Sequence, residues 1–461
     1  MNLTIFRPNY RNLVMGVETK VPLINGEQVI AINFDNAAST PPFTSVLEEV
    51  VNFCPWYSSI HRGTGYKSQL SSNFYDYSRQ IVAHFVNTNL KEKSIIYVKN
   101  TTEAINKLSF RLLDESKENV VLSTEMEHHS NDLPWRNKYK IDYVSVDTWG
   151  KLDMDDLEAK LKKYNGTVKL VTVTGASNVT GFTNPIHQIA TLAHKYGAKI
   201  LVDGAQLVPH APIDIKPANS PEHIDFLAFS AHKMYAPFGT GVLIGPRETF
   251  IKGIPDYMGG GTIKVVTRHF ISWADPPEKD EAGTPNVIGV LALVEAIKVL
   301  TRIGMANIER YEQNLTEYAL RKLKKIADLE IYGNSKDSKD RVGIISFNLK
   351  GLDHQTLATI LSQETGIAVR NGCFCAQPYV QKLLKVSEQE IKKHLENPSF
   401  PHPGMVRVSF GLYNTYSEVD KLVQILNKIA ENKKFYLRKY KDYELSGSWK
   451  FNKNQAMPSF K

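Results

Sequence analysis

From about residue 94 to 245 short apolar runs alternate with amphipathic helical stretches, and no other feature limits the fold so tightly. Runs at 94–98, 119–123, 168–174, 198–202, 226–229 and 241–244 read as strands. Stretches 102–113, 153–164 and 186–196 carry apolar residues at helical spacing. Strands apolar on both faces and separated by helices predict a mostly parallel sheet covered on both sides, an α/β fold. Near 290 the texture changes. A long helical run from 289 to about 325 leads into strands at 342–348, 368–370 and 406–410 and helices at 354–365 and 418–431. That pattern predicts a smaller α+β domain. Asn25-Gly26, between apolar runs at 21–24 and 28–32, is a hairpin turn. The expected division is a large domain at 34–290, a small α+β domain from 1–33 and 291–432, and a C-terminal extension at 433–461.

In open α/β sheets ligands sit at the carboxyl ends of the strands, so the residues after each run matter most. They are Lys99-Asn100-Thr101-Thr102-Glu103, Glu125-Met126-Glu127-His128-His129-Ser130-Asn131, Thr174-Gly175-Ala176-Ser177-Asn178, Asp203-Gly204-Ala205-Gln206 and Ser230-Ala231-His232-Lys233. Taken singly, each has an ordinary structural explanation; five in series point to one ligand site. Thr101-Thr102 at a helix start offers hydroxyls and free N–H groups to a phosphate. An Asp at a strand end can hold a protonated ring nitrogen. A Lys in a crowded pocket can lose its proton and form a Schiff base, and a His can stack on a planar ring. Phosphate, pyridinium, aldehyde and ring face together describe pyridoxal 5'-phosphate.

Further segments join these: Asn33-Phe34-Asp35-Asn36-Ala37-Ala38-Ser39-Thr40, His61-Arg62-Gly63, Glu281-Ala282-Gly283-Thr284-Pro285-Asn286, Arg370-Asn371-Gly372-Cys373-Phe374-Cys375-Ala376 and Arg407 through Thr415. Ten segments in order, from about 33 to 430, make the chain resemble the fold-type I, class V aminotransferase group, and within it the cysteine desulfurases and selenocysteine lyases. The resemblance implies a mostly parallel seven-stranded sheet in the large domain, and a homodimer with shared active sites. It implies that Lys233 holds the cofactor and moves the Cα proton. Asp203 pairs with the ring nitrogen, Gln206 with the ring hydroxyl, and His128 stacks on the ring, with His129 as the alternative. Thr101, Thr102, Ser230 and His232 would bind phosphate, with Thr284 reaching it from the second subunit. Asn178 and Arg407 would take the substrate carboxylate, for which a guanidinium has bidentate geometry. Ala37, His61 and Arg370 would lie near the substrate.

Cys375 decides the reaction class. In the desulfurases a loop cysteine takes sulfur from the substrate as a persulfide and alanine leaves; Arg370 nearby favours the thiolate this needs. Cys373 lies two positions earlier, and on an extended loop both thiols would share a face, so either is open as the nucleophile or the two could pair. The place before Ala376 favours Cys375. A Cys-x-Cys metal site has no second pair to support it, and no metal is expected. The leading expectation is a desulfurase giving L-alanine from L-cysteine. Other reactions on the same cofactor stay open: transamination, selenocysteine cleavage, epimerisation or C–S lysis.

Three cysteines exclude a disulfide scaffold, and the first residues lack an apolar leader, so a cytoplasmic protein is expected. The longest apolar stretch, near 287–297, is too short for a membrane span. The net charge of +8 first suggests nucleic acid. However, residues 433–461 hold eight lysines and arginines against Asp442 and Glu444, a net of +6, leaving the rest nearly neutral. With no nucleic-acid motif present, that points to an enzyme with a basic, aromatic appendage. It either packs on the body or docks an acidic partner such as a sulfur acceptor.

Overall fold

The computed structural model describes residues 10–113, 119–333, 340–397 and 402–445. The first nine residues, read above as lacking a leader, and 446–461, the end of the basic stretch, lie outside the described residues. The central sheet has seven strands: β1 (Lys93–Val98), β2 (Val120–Thr124), β3 (Lys140–Val144), β4 (Val168–Thr174), β5 (Lys199–Asp203), β6 (Phe226–Ser230) and β7 (Gly241–Pro246). Their order is β1-β7-β6-β5-β4-β2-β3. β7 runs antiparallel to β1 and β6, and the other pairs are parallel. β1, β2, β6 and β7 are buried at every position, which is why their sequences are continuous apolar runs. β3 pairs only with β2 and is mostly half-exposed, so Lys-Ile-Asp-Tyr-Val carries no such signal.

Two helices precede the sheet, α1 (Thr44–Phe53) and α2 (Tyr66–Phe85). The buried stripe of α2 is Ser68, Ser71, Tyr75, Ser78, Arg79, Val82 and Ala83, at helical spacing but largely polar. Hydrophobic periodicity therefore misses a 20-residue helix. Helices α3 (Thr101–Arg111), α4 (Met154–Tyr164) and α5 (Ile186–Lys195) lie in the connections between strands. The helical run beyond 289 is two helices, α6 (Val287–Ile303) and α7 (Met305–Leu323), divided by Gly304 at φ +88°. The apolar face of α6 packs in the larger core with Val46, Val82 and Val242, so the expected boundary at 290 falls inside that helix.

The smaller sheet orders strands Leu329–Tyr332, Ile344–Leu349, Met405–Ser409 and Arg370–Gly372, all antiparallel. Helices His354–Thr365 and Tyr416–Glu431 share its core. The predicted hairpin pairs Lys20–Pro22 with Gln28–Ile30 around Gly26. Ile32–Asn33 pairs in parallel with Ile367–Ala368. This pairing lays the segment after Asn33 beside the segment after Ala368, and both run on to the site. A further helix, Lys433–Leu445, inserts Tyr436 and Tyr440 into the smaller core, each 2% exposed. Among the described residues no helix is long and apolar enough to cross a membrane.

Candidate active site

The carboxyl ends of the central strands open on a cavity of about 240 Å³, lined from β1, β2, β4, β5 and β6 and from the loops of the smaller domain. Asn100 caps α3 by accepting from the Glu103 N–H at 3.0 Å. The next residue ties two strand ends together: the Thr101 N–H donates to Ser230 Oγ at 2.8 Å, and the two hydroxyls lie 2.7 Å apart. Thr102 Oγ1 lies 2.6 Å from Ser130 Oγ. Hydroxyls and the first turn of an 11-residue helix thus face one corner of the cavity, suited to an anion.

His128 follows β2. Its Nδ1 accepts from the Ser130 N–H at 3.1 Å, so a neutral ring carries its proton on Nε2. Burial, and then the charge of Lys233, push it down to about 3, which keeps the ring neutral. Glu127 beside it is held by Thr124, Asn131 and the Thr174 N–H, fastening the β2 loop to the end of β4. Asp203 ends β5, buried, and accepts from the Ala205 N–H at 2.9 Å. Burial raises its carboxyl, opposed by that bond and by Lys233. Gln206 Nε2 donates to the Ala37 carbonyl at 2.8 Å, leaving its Oε1 buried without a partner. Lys233 follows β6 on a single 3-10 turn. Burial lowers its amine to about 8 against the pull of Asp203, with Arg407 adding to the lowering. His232 next to it is lowered to about 4, by burial first.

The opposite wall belongs to the smaller domain. Arg407, 3% exposed, donates from Nη1 to the Asn178 carbonyl at 2.8 Å and from Nη2 to Asp35 Oδ1 at 3.2 Å. Its Nε has no partner, and burial lowers the guanidinium to about 10. Arg370, half exposed, lies 3.7 Å from Asp35 Oδ2. The cysteine loop is not extended: Phe374 and Cys375 both take left-handed backbone, φ +52° and +54°. That turn gives the two thiols different surroundings. Cys373 Sγ donates to the Pro403 carbonyl at 3.0 Å, and burial raises its pKa. Cys375 is exposed and lines the cavity beside Lys233 and Arg407. Asn178 Nδ2 holds the Phe374 carbonyl at 2.7 Å, and the His129 N–H holds the Cys375 carbonyl at 2.7 Å. His129 Nε2 also accepts from the Gln377 N–H at 3.3 Å. His129 thus braces the loop from outside the cavity, while His128 lines it.

Within one chain the cavity brings together Ala37, Thr101, Thr102, His128, Asn178, Asp203, Gln206, Ser230, His232, Lys233, Arg370, Cys375 and Arg407. It does not include His61, whose ring lies 3.2 Å from Asp76, or Thr284, which is exposed in a separate cavity near Tyr75 and Glu281. Asp35 and Phe374 belong to the site without having been singled out, and Ser130 stands in the segment after β2 without an assigned role. Asp35 stands inside a quoted motif, but only the fold shows two arginines converging on it.

The sequence profile described as Aminotransferase class-V matches residues 32–422. A cysteine desulfurase of Haloferax volcanii is 35% identical over 408 residues, 87% of this chain and 89% of that one. A Staphylococcus aureus (strain COL) protein named "Probable cysteine desulfurase" is 36% identical over 421 residues, covering 90% and 94%. Among solved structures, the apo cysteine desulfurase of Thermococcus onnurineus NA1 superposes with a TM-score of 0.78 at 32% identity, covering 90% of this chain and 98% of that one. The cysteine desulfurase CsdA from Escherichia coli, in its S-sulfonic acid form, gives 0.73 at 28%, covering 87% and 95%. With the profile match spanning most of its length and relatives of this kind along nearly all of it, the chain belongs to the class-V aminotransferase family, in the cysteine desulfurase group.

Proposed function

We propose that the protein is a pyridoxal-phosphate-dependent cysteine desulfurase that converts L-cysteine to L-alanine and takes the sulfur on Cys375. The residues fit the cofactor. The corner formed by α3, Thr101, Thr102, Ser230 and His232 suits its phosphate, and a buried carboxylate at Asp203 suits a protonated ring nitrogen. The unpartnered Oε1 of Gln206 is a buried atom that a bound hydroxyl would satisfy. When bound, the cofactor supplies an electron sink for the substrate carbon skeleton.

The chain's own groups do the rest. Lys233, lowered to about 8, is poised to exchange a proton with the substrate Cα. His128, held neutral, presents a flat uncharged ring to the cavity. Arg407, with Asn178 and Arg370, receives the substrate carboxylate. Cys375 attacks the substrate sulfur as a thiolate: an S–S bond forms, the substrate's Cβ–S bond breaks, and that bond's electron pair stays on the carbon skeleton. The skeleton is protonated and leaves as alanine. One observation carries the assignment to sulfur transfer. Of the two loop thiols, Cys375 alone faces the cavity, while Cys373 is spent on Pro403. Lys233 and Asp203 would serve an aminotransferase or epimerase equally well, so product identity discriminates. Purified protein should be yellow and should release alanine from L-cysteine. Keto-acid release without alanine would replace the reading with transamination.

The same reading includes a homodimer, in which Thr284 and His61, off the cavity of their own chain, complete the partner's. It places the enzyme in the cytoplasm, and an acidic sulfur acceptor near the basic C-terminal segment.

A further inference from the structure

His194, His223 and Asp225 meet at the end of the sheet opposite the active site. Asp225 immediately precedes β6, whose far end, Ser230, lines the cavity; five residues of strand separate the two by roughly 17 Å. His194 comes from the last turn of α5, where the helix carbonyls favour positive charge. His223 comes from the loop returning to β6.

The ring protons can be assigned from the partners. His194 Nδ1 lies 2.7 Å from the Pro221 carbonyl oxygen, and His223 Nδ1 lies 2.6 Å from that of Ser220. A carbonyl oxygen only accepts, so each Nδ1 carries a proton and each neutral ring presents a lone pair at Nε2. Both lone pairs face one carboxylate: Nε2 of His194 is 2.9 Å from Asp225 Oδ2, and Nε2 of His223 is 3.5 Å from Oδ1. Acceptors opposed in this way need a positive centre between them. One proton on His194 serves one contact. A proton on each ring would put two imidazolium ions face to face, because the rings stack with centroids 4.1 Å apart and planes at 17°. One divalent cation serves both nitrogens and the carboxylate.

The geometry admits it. One ligand atom from each of the three residues lies within 4.8 Å of the others. Ligands about 2.1 Å from a tetrahedral zinc are about 3.4 Å apart, against 2.9 Å from His194 Nε2 to one carboxylate oxygen and 3.5 Å from His223 Nε2 to the other; the stacked rings must fan apart for both lone pairs to point at one ion. The outer partners are in place: the two carbonyls orient the imidazoles, and the Ile200 N–H donates to Asp225 Oδ2 at 2.9 Å. The nearby ammonium of Lys93 donates to the main-chain carbonyls of Ile224 and Asp225, not to the carboxylate. The histidine side chains keep 18% and 17% exposure, which leaves an approach for the ion and a place for water.

We propose that His194, His223 and Asp225 bind one divalent first-row transition-metal ion, best matched by zinc, which clamps the end of α5 to the base of the strand that delivers Lys233. No sequence motif announces it, because the ligands are spread over 32 positions of loop, helix and strand. The test uses the chelator-treated holoenzyme titrated with zinc alone, followed by calorimetry and by the thermal unfolding midpoint. One equivalent per chain and a zinc-dependent rise in midpoint are expected. His194→Ala and His223→Ala should each weaken binding at least about tenfold and abolish the rise. His223→Gln serves if His223→Ala does not fold. All variants keep Cys373 and Cys375, so zinc held by thiols would give the same signal throughout. That outcome, or no zinc-dependent signal in the unaltered enzyme, would overturn the proposal.

Discussion

The state of Lys233 can be tested by titration. Capture of an aldehyde requires its neutral amine. With the amine lowered to about 8 by burial, about half the molecules are competent at pH 8 and roughly one in ten at pH 7, against a few in ten thousand for an ordinary lysine. Stripped protein mixed with pyridoxal phosphate should therefore colour about fivefold faster at pH 8 than at pH 7, and the rate should flatten above roughly pH 9. The two neighbouring charges give opposite signs. Asp203→Asn removes the negative charge that holds the proton on Lys233, so the midpoint should move down. Arg407→Gln removes a repelling positive charge, so it should move up. Stopped-flow absorbance across the pH range reads both. A rate that keeps climbing about tenfold per pH step through pH 10 would show an ordinary lysine and refute the reasoning. So would displacement of both variants in the same direction.

Cys373→Ser should leave alanine formation within about threefold, because a hydroxyl can make the same bond to Pro403. Asn178→Ala strands the Phe374 carbonyl and loosens a turn with two left-handed residues. Losing about 1–2 kcal/mol there should lower saturated turnover roughly five- to thirtyfold, with the colour retained. Tyr436→Ala opens a hole in the smaller core, and about 2–4 kcal/mol of lost stability should appear as a thermal midpoint lower by several degrees.

Much of the large domain was legible because its strands are buried on both faces and so print as apolar runs. The rim residues were legible for a related reason, since a polar residue directly after such a run has only the strand end to occupy. Position in the chain could not show that Asp35 and Arg407, 372 residues apart, share a 3.2 Å contact. Nor could it show that a turn with two left-handed residues leaves Cys375 in the cavity and Cys373 on the Pro403 carbonyl. α2 stayed hidden because its buried face is serine and tyrosine, with Tyr75 and Arg79 bonded to Glu281. The helix at Lys433–Leu445 was masked by its charge, because Tyr436 and Tyr440 are the buried members of a basic segment.

The central claim is that Cys375 receives the sulfur, and one turnover tests it directly. Holoenzyme mixed with L-cysteine, without reductant, should yield one alanine per site. The peptide bearing Cys375 should gain the mass of one sulfur atom, lost again on reduction, while Cys54 and Cys373 stay unmodified. Cys375→Ser should keep the cofactor colour and form no such adduct. Sulfur found on Cys373, or undiminished alanine release by Cys375→Ser, would contradict it.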